Sequence, residues 1–266
     1  VTAAALAAAA LLALLPAAAR KAPPAPKPAS APAAPAFVAV VDPGHGGEQE
    51  GAWSPGGDRE KDLALEISRR IAARLRKLGG RVVLTRTGDI DVPLVNRATI
   101  ANALRADIFL SIHLNSMPSA EQRRIRHGIE TFFLSADATD ASAAAVAARE
   151  NAARMAGEVL ADQGDPIGFI LQDLESAAAL TESSRLAYFL HERLVARTGA
   201  QDEGVKQAPF YVLAGARMPS VLLELGFISH EQEARRLKDS AYQEKIAEAV
   251  ADAVAAWRSA DRHAMR

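Results

Sequence analysis

The sequence contains no cysteine. Disulfides, iron–sulfur clusters and thiolate zinc sites are therefore excluded, and any bound metal must be held by histidine and carboxylate. Neither sign of charge is in excess. With 31 basic and 32 acidic residues the net charge is −1, which leaves no electrostatic footprint for a nucleic-acid partner. Long apolar runs are scarce. The Ala/Leu stretch from Leu6 to Leu15 is too short to span a bilayer, so stable membrane insertion is not expected. What is present is a hydrophobic fraction of 49% in 266 residues, enough for one domain with a sizeable core and a tail.

The first residues read as export and spacing rather than fold. The Leu6–Leu15 run followed by Ala17-Ala18-Ala19 has the shape of a secretory signal peptide with a small-residue cleavage site, residues 1–19. Its positively charged start is missing and the chain opens at Val1, so the sequence is expected to begin late. Residues 20–36 are a Pro/Ala-rich linker, with six of the fourteen prolines between Lys21 and Ala36, a composition that cannot bury a core. The folded domain is expected over 37–260, with a tail at 261–266, working outside the cytoplasm as a monomer.

From Phe37 the pattern alternates. Phe37–Val41 is an apolar strand cut short by Asp42-Pro43-Gly44, with His45 and Gly46-Gly47 following. Leu63, Ile67, Ile71, Leu75 and Leu78 line one face of a helix closed by Gly79-Gly80, and Glu60 stands at its start, where the helix dipole favours a carboxylate. Arg81–Arg86 is a second strand, and Pro93 opens a helix to about Leu104. Asp107–Leu114 is a third strand, with His113 at its carboxyl end. Strand–helix repetition of this kind predicts an α/β fold: a mostly parallel twisted sheet flanked by helices on both faces. In such sheets the carboxyl edge is where ligands bind, and His45 and His113 both fall there.

Further strands are expected at Ile129–Leu134, Phe210–Leu213 and Ser220–Phe227. Ser135–Gln207 breaks the rhythm as a helical insertion, with Ala-rich segments at Ala141–Asp162 and Asp173–Thr198 around Gln163-Gly164-Asp165-Pro166. Ser229/Gln232 and Ser240/Gln243 have capping-box spacing, and a last helix runs from Ala241 to about Trp257.

Two histidines and one carboxylate with an open fourth position form a catalytic zinc arrangement, and imidazole with carboxylate suits zinc better than calcium or magnesium. Glu224 lies inside an apolar strand, where a carboxylate is costly without a partner. Beside a metal-bound water it would serve as general base and then acid. The bland alternative is a pairing with an arginine such as Arg86 or Arg217. His127, His191, His230 and His263 read as surface residues.

Five stretches together resemble one family: Val40–Gly47 (Val-Val-Asp-Pro-Gly-His-Gly-Gly), Arg59–Leu63, Val82–Thr87, Ser111–Ser116 (Ser-Ile-His-Leu-Asn-Ser) and Pro219–Ser229. The chain is similar, from about Phe37 to Trp257, to the zinc-dependent N-acetylmuramoyl-L-alanine amidases of the Amidase_3 type. That resemblance implies zinc ligands at His45, Glu60 and His113 and a catalytic glutamate at Glu224. It also implies cleavage of the amide between the lactyl group of N-acetylmuramic acid and L-alanine of the peptidoglycan stem. Ser135–Gln207 resembles the regulatory helical insertion of the periplasmic amidases that split daughter cells in Gram-negative bacteria. There a glutamate closes the zinc site until a LytM-type activator protein pulls its helix away. Glu150 is the candidate plug, with Glu158 and Glu175 as alternatives. Only the Pro/Ala linker stands where many such amidases carry a wall-targeting domain, so septal targeting is expected to come from a partner. The competing readings are a zinc peptidase acting on another secreted amide, and a wall-binding protein without activity.

Overall fold

Six strands form one sheet in the order β2-β1-β3-β6-β4-β5. The strands are β1 (Phe37–Pro43), β2 (Gly80–Leu84), β3 (Ile108–Asn115), β4 (Ile129–Leu134), β5 (Asp202–Ala208) and β6 (Ser220–Phe227). Every neighbouring pair is parallel except β4 with β6. The structure is a computed structural model and describes residues 35–152 and 177–264. Its helices among those residues are α1 (Glu60–Lys77), α2 (Leu94–Ala103), α3 (Ala120–Ile125), α4 (Ala141–Asn151), α5 (Ala177–Thr198), α6 (Glu231–Lys238) and α7 (Ser240–Ala264). None is long and apolar enough to cross a membrane. The mostly parallel α/β architecture is the one the alternating pattern predicts.

Residue parity along the strands decides what each face carries. Ala39 and Val41 of β1, Leu110 and Ile112 of β3, and Val221 and Leu223 of β6 face one core. That core is closed by Leu63, Ile67, Ile71 and Leu75 of α1, by Leu186, Leu190 and Leu194 of α5, and by Ile246, Val250 and Val254 of α7. Val40, Phe109, Leu222 and Phe132 face the other way, against Leu94, Ala98 and Ala101 of α2 and Ala143, Val146 and Ala147 of α4. Asp42, His113, Glu130 and Glu224 share the parity of this second set. The polar residues of the sheet therefore lie beneath α2 and α4. Each fully buried Leu or Ile of α1 contributes roughly 1.5–3 kcal/mol, which fixes the helix that presents Glu60. Leu78, expected inward, is the C-cap and 40% exposed, and Gly79 follows it with φ +82°.

Three expectations need correcting. Phe210–Leu213 is not a strand. Leu213 and Ala214 donate back to the Phe210 carbonyl at 3.2 Å, and Phe210, Val212 and Leu213 are buried as a turn. Apolarity there signals burial, and a run that short cannot tell a strand from a turn. The strand lies just before it, at Asp202–Ala208, inside the stretch expected to be helical. It is an outer strand of the sheet, paired with a strand on one side only among the described residues, so its sequence is polar. α5 is likewise a framework helix rather than part of an excursion, since parallel β4 and β5 need a helical crossover and α5 fills it. Residues 153–176, with Gln163–Pro166, Glu158 and Glu175, lie outside the described residues. Both helix caps fall one residue away from the expected ones. His230 caps α6 by accepting from Glu233 N, and Asp239 caps α7 by accepting from Ala241 N at 2.9 Å. Ser229 accepts from Met117 N instead, at 3.0 Å.

Ala36 N–H donates to Gly79 O at 3.0 Å, and the Phe37 ring lies under the Arg258 guanidinium at 4.3 Å. Residues 1–34 precede both, and the linker among them has no apolar face to pack. Removing them should leave the thermal melting midpoint of the chain unchanged. A large drop on that deletion would mean that the segment docks.

Candidate metal centre

The β1 turn is built to hold His45. His45 has φ +57°, a left-handed conformation that a non-glycine residue keeps only when its surroundings impose it, at roughly 1–3 kcal/mol. Two buried arginines impose it. Arg97 donates to Pro43 O and His45 O, both at 2.9 Å, and Arg86 donates to Pro43 O at 3.0 Å and Gly44 O at 2.7 Å. Arg97 also pairs with Asp42 at 2.9 Å, so the carboxylate that ends the strand is satisfied in the core. Gly44 has no room for a side chain, because a Cβ there would stand 2.6 Å from the His113 ring. A Cβ on Gly51, which has φ +71°, would stand 2.7 Å from both Glu60 and His45.

Glu60, the first residue of α1, is aimed by the backbone. Its Oε2 accepts from Ala52 N and its Oε1 from Leu114 N, each at 2.9 Å. Between them these bonds lock the loop, the helix start and β3 to one carboxylate. His113 comes from the carboxyl end of β3. The fourth member is Glu150, near the end of α4, which the parity of the sheet leaves lying over this site.

The four side chains converge. His45 Nε2 is 3.1 Å from Glu60 Oε1 and 3.3 Å from Glu150 Oε2. His113 Nδ1 is 3.2 Å from Glu60 Oε1 and 2.9 Å from Glu150 Oε2. All four donor atoms lie within 4.8 Å of one another, and all four residues are buried. Yet His45 Nε2, His113 Nδ1 and Glu150 Oε2 make no properly directed hydrogen bond. Buried polar atoms are normally paired, so three orphans aimed at one point indicate a shared ligand. Donors on one zinc at about 2.0–2.1 Å stand about 3.3–3.4 Å apart along a tetrahedral edge, close to the spacings here. The residues fit a metal ion.

Electrostatics agrees. Burial pulls the His45 imidazole down, but Glu60 and Glu150 outweigh it and raise it to about 9. His113 is likewise raised well above its ordinary value against burial, chiefly by Glu150. Burial pushes the carboxyl of Glu60 up, and the two histidines override it and hold it at about 2. Glu150 is driven well below the ordinary range in the same way, with His113 the main partner. Two carboxylates in a dry site thus demand positive charge, and a divalent cation meets that demand with the histidines neutral.

Glu224 is fully buried on β6, in register with His113 of β3 and Glu130 of β4. Burial first, then the charge of Glu150, raise its carboxyl well above the ordinary range. Its Oε1 is 3.5 Å from Arg149 Nη2, and its Oε2 has no hydrogen-bond partner. The arginines named from the sequence are not its partners: Arg86 serves backbone carbonyls, and Arg217 is exposed. Arg149 also donates to Glu150 Oε1 at 3.0 Å, Ser116 O at 2.7 Å and Asn115 Oδ1 at 3.1 Å. Asn115 Nδ2 in turn donates to buried Glu130, which Lys206 Nζ reaches at 2.8 Å.

Sequence reasoning did not name Arg149, Asn115, Glu130 or Arg97 as part of the site. The signal for Glu130 and Arg97 was available, since each is a charge set among apolar neighbours and so needs a buried partner. His191, expected at the surface, is buried. It bonds Thr131 Oγ1 at 3.1 Å and Asp202 Oδ1 at 2.7 Å, tying α5 to β4 and β5 rather than joining the metal cluster. His127 and His230 face each other with ring centroids 5.4 Å apart, away from the cluster, and the side chain of His263 lies outside the described part.

An α/β domain with a buried His/Glu/His/Glu cluster at its strand ends, and a partnerless carboxyl oxygen on the adjoining strand, has the parts of a metal-dependent hydrolase. Comparison makes this specific. Residues 39–256 match the N-acetylmuramoyl-L-alanine amidase family, and the chain belongs to it. It is similar to amidase AmiC of Escherichia coli strain CFT073, at 32% identity over 87% of this chain and 55% of that protein. It is also similar to AmiA of Escherichia coli K12, at 34% identity over 83% of this chain and 75% of that protein. The chain thus spans about half of AmiC and three quarters of AmiA. Among solved structures it is similar to the CwlD amidase of Clostridioides difficile in complex with the GerS lipoprotein. The TM-score is 0.63 and the identity 26%, over 84% of this chain and 99% of that one.

Proposed function

We propose that the chain is a zinc-dependent peptidoglycan hydrolase. Its target is the amide between the lactyl group of N-acetylmuramic acid and L-alanine of the stem peptide. The observation that carries this reading is the four-donor cluster with the unpartnered Glu224 Oε2 beside it. His45, Glu60 and His113 would hold the zinc, which when bound would supply Lewis acidity and make water more acidic. Glu60 keeps its orientation through Ala52 N and Leu114 N, an outer layer that fixes a ligand as tightly as the fold itself. Glu224 takes a proton at Oε2 and returns it to the leaving nitrogen of L-alanine.

The resting arrangement is autoinhibited. Glu150 stands where a fourth donor belongs, and Arg149 beside it engages Glu224. One turn of α4 thus covers both the cluster and the base. A LytM-type activator, acting in the periplasm during daughter-cell separation, relieves the block by binding the open state better than the closed one. Moving from about 1% to about 99% open takes roughly 5.5 kcal/mol of such preference. That CwlD was solved with a protein partner supports partner control in this fold.

The test is digestion of purified sacculi, with products identified by mass. It should compare the wild type, Glu150→Ala, and a chain trimmed within residues 153–176. Trimming must stay there because α4, α5 and β5 belong to the framework. Glu150→Ala should raise basal hydrolysis while leaving the fully activated rate little changed, with free stem peptide as product. Equal basal rates in all three would rule out autoinhibition, and activity in the trimmed chain alone would assign the plug to another residue. Products cut elsewhere would remove the amidase assignment.

A further inference from the structure

Beside the cluster lies an open cleft of about 570 Å³, whose walls include His45, Glu60, Glu150, Trp53 and Arg123. Trp53 is 51% exposed in it, the largest side chain among the exposed hydrophobics. The indole therefore offers a large, flat apolar face to whatever enters the cleft. The residue is also held in place. Ala52, one position before it, donates to Glu60 Oε2 at 2.9 Å and accepts from Glu60 N at 2.8 Å. Trp53 itself bridges Arg59, and Ser54 closes the turn by donating to Asp58 Oδ2 at 2.7 Å while accepting from Gly56 N and Asp58 N. The indole is therefore carried by the same short loop that orients a metal ligand, at a fixed offset from the reacting centre.

The two walls differ in chemistry. On the Trp53 side stand Gln49, an uncharged amide, and Glu50, a carboxylate paired with Arg59 at 3.8 Å. On the far side stands Arg123, its guanidinium steadied by Met117 O and Pro118 O. A substrate with an uncharged sugar on one side of its amide and an anionic peptide on the other is sorted by this arrangement. Carboxylates go to Arg123. A pyranose ring goes to the aromatic face, whose negative quadrupole attracts its C–H bonds while Gln49 and Glu50 offer partners for hydroxyl and acetamido groups.

We infer that Trp53 is a sugar-stacking platform, the subsite for the N-acetylated hexose next to the scissile amide. The inference rests on the amidase reading for the order of groups along the substrate, but its first readout does not need catalysis. The sequence has two tryptophans. Trp257 is buried, with its Nε1 donating to Glu182 at 3.2 Å, so it serves as an internal control insulated from solvent. Titrating the full chain with a soluble tetramer of N-acetylglucosamine should give a saturable change in tryptophan emission that disappears in Trp53→Phe. No change in the wild type, or an equal change in Trp53→Phe, overturns the platform.

The second readout is kinetic and uses the Glu150→Ala background so that the site is open. With an N-acetylmuramoyl-peptide, Trp53→Ala should raise KM on the order of tenfold with kcat nearly unchanged, and Trp53→Tyr should restore most of the loss. With a D-lactoyl-peptide, which keeps the amide and lacks the sugar, the same variants should match the parent. Equal KM effects on both substrates would place Trp53 on the peptide and sink the inference. If no variant cleaves either substrate but the emission change persists, the amidase reading fails and the sugar site stands.

Discussion

Replacing His113 with alanine should abolish both bound zinc and hydrolysis. The imidazole is 4% exposed and packs against Gly44, where a Cβ would stand 2.6 Å from the ring. Its Nδ1 faces Glu60 and Glu150 at 3.2 and 2.9 Å, so its loss leaves two buried carboxylates with one imidazole between them. Even residues that only orient a ligand cost about 10–100-fold in metal affinity when changed, and a ligand should cost more. Metal analysis of the purified protein reads the result directly: about one zinc per chain in the wild type, none in His113→Ala. The control is His191→Ala, which removes another buried histidine, bonded to Thr131 and Asp202, and should lose stability but keep its zinc. Stoichiometric zinc in His113→Ala would overturn the ligand assignment whatever the activity.

How much of this was legible in the sequence depended on whether a segment's composition and its location agreed. β1, β3 and β6 are buried on both faces, so they read as apolar runs, and the Gly and Pro that end β1 marked the turn carrying His45. Glu224 was visible for the same reason, as one carboxylate in such a run. β5 was not, because Asp-Glu-Gly-Val-Lys-Gln-Ala in an outer strand has the composition of a loop. The turn at Phe210–Leu213 was mistaken for its missing strand because burial was the only signal it carried. α5 looked like an appendage since its Ala-rich sequence resembles that of α4, yet Leu186, Leu190 and Leu194 put it in the main core. Arg149 was out of reach. Nothing local distinguishes it from other helix arginines, and its role comes only from α4 crossing above Asn115 and Glu224. Periodicity finds elements and isolated charges in apolar runs, whereas contacts between elements far apart in sequence need the fold.

Glu224→Gln should lower turnover by roughly 10²–10⁴-fold, the range typical of a general acid–base residue, without loss of zinc. The substitution keeps the shape and removes one ionisable oxygen. Its structural cost should be small, because Arg149, the cation 3.5 Å from Oε1, keeps Asn115 Oδ1, Ser116 O and Glu150 as acceptors. Burial and the neighbouring charge of Glu150 both disfavour an ionised Glu224, so a neutral amide there relieves strain that the carboxylate imposes. The melting midpoint of Glu224→Gln should therefore equal or exceed that of the wild type while activity falls, as expected where a site keeps a group for chemistry at the expense of stability. A residue that merely braced the strand would give the reverse, a lower midpoint with activity falling in step. Turnover must be measured with zinc verified and the plug removed, in the Glu150→Ala background, so that inhibition and chemistry are separated, whereas the melting midpoints compare the single variant with the wild type. Near-normal turnover of the double variant on an N-acetylmuramoyl-peptide would show that the proton passes through another group, and Glu224 would then be a buried structural carboxylate.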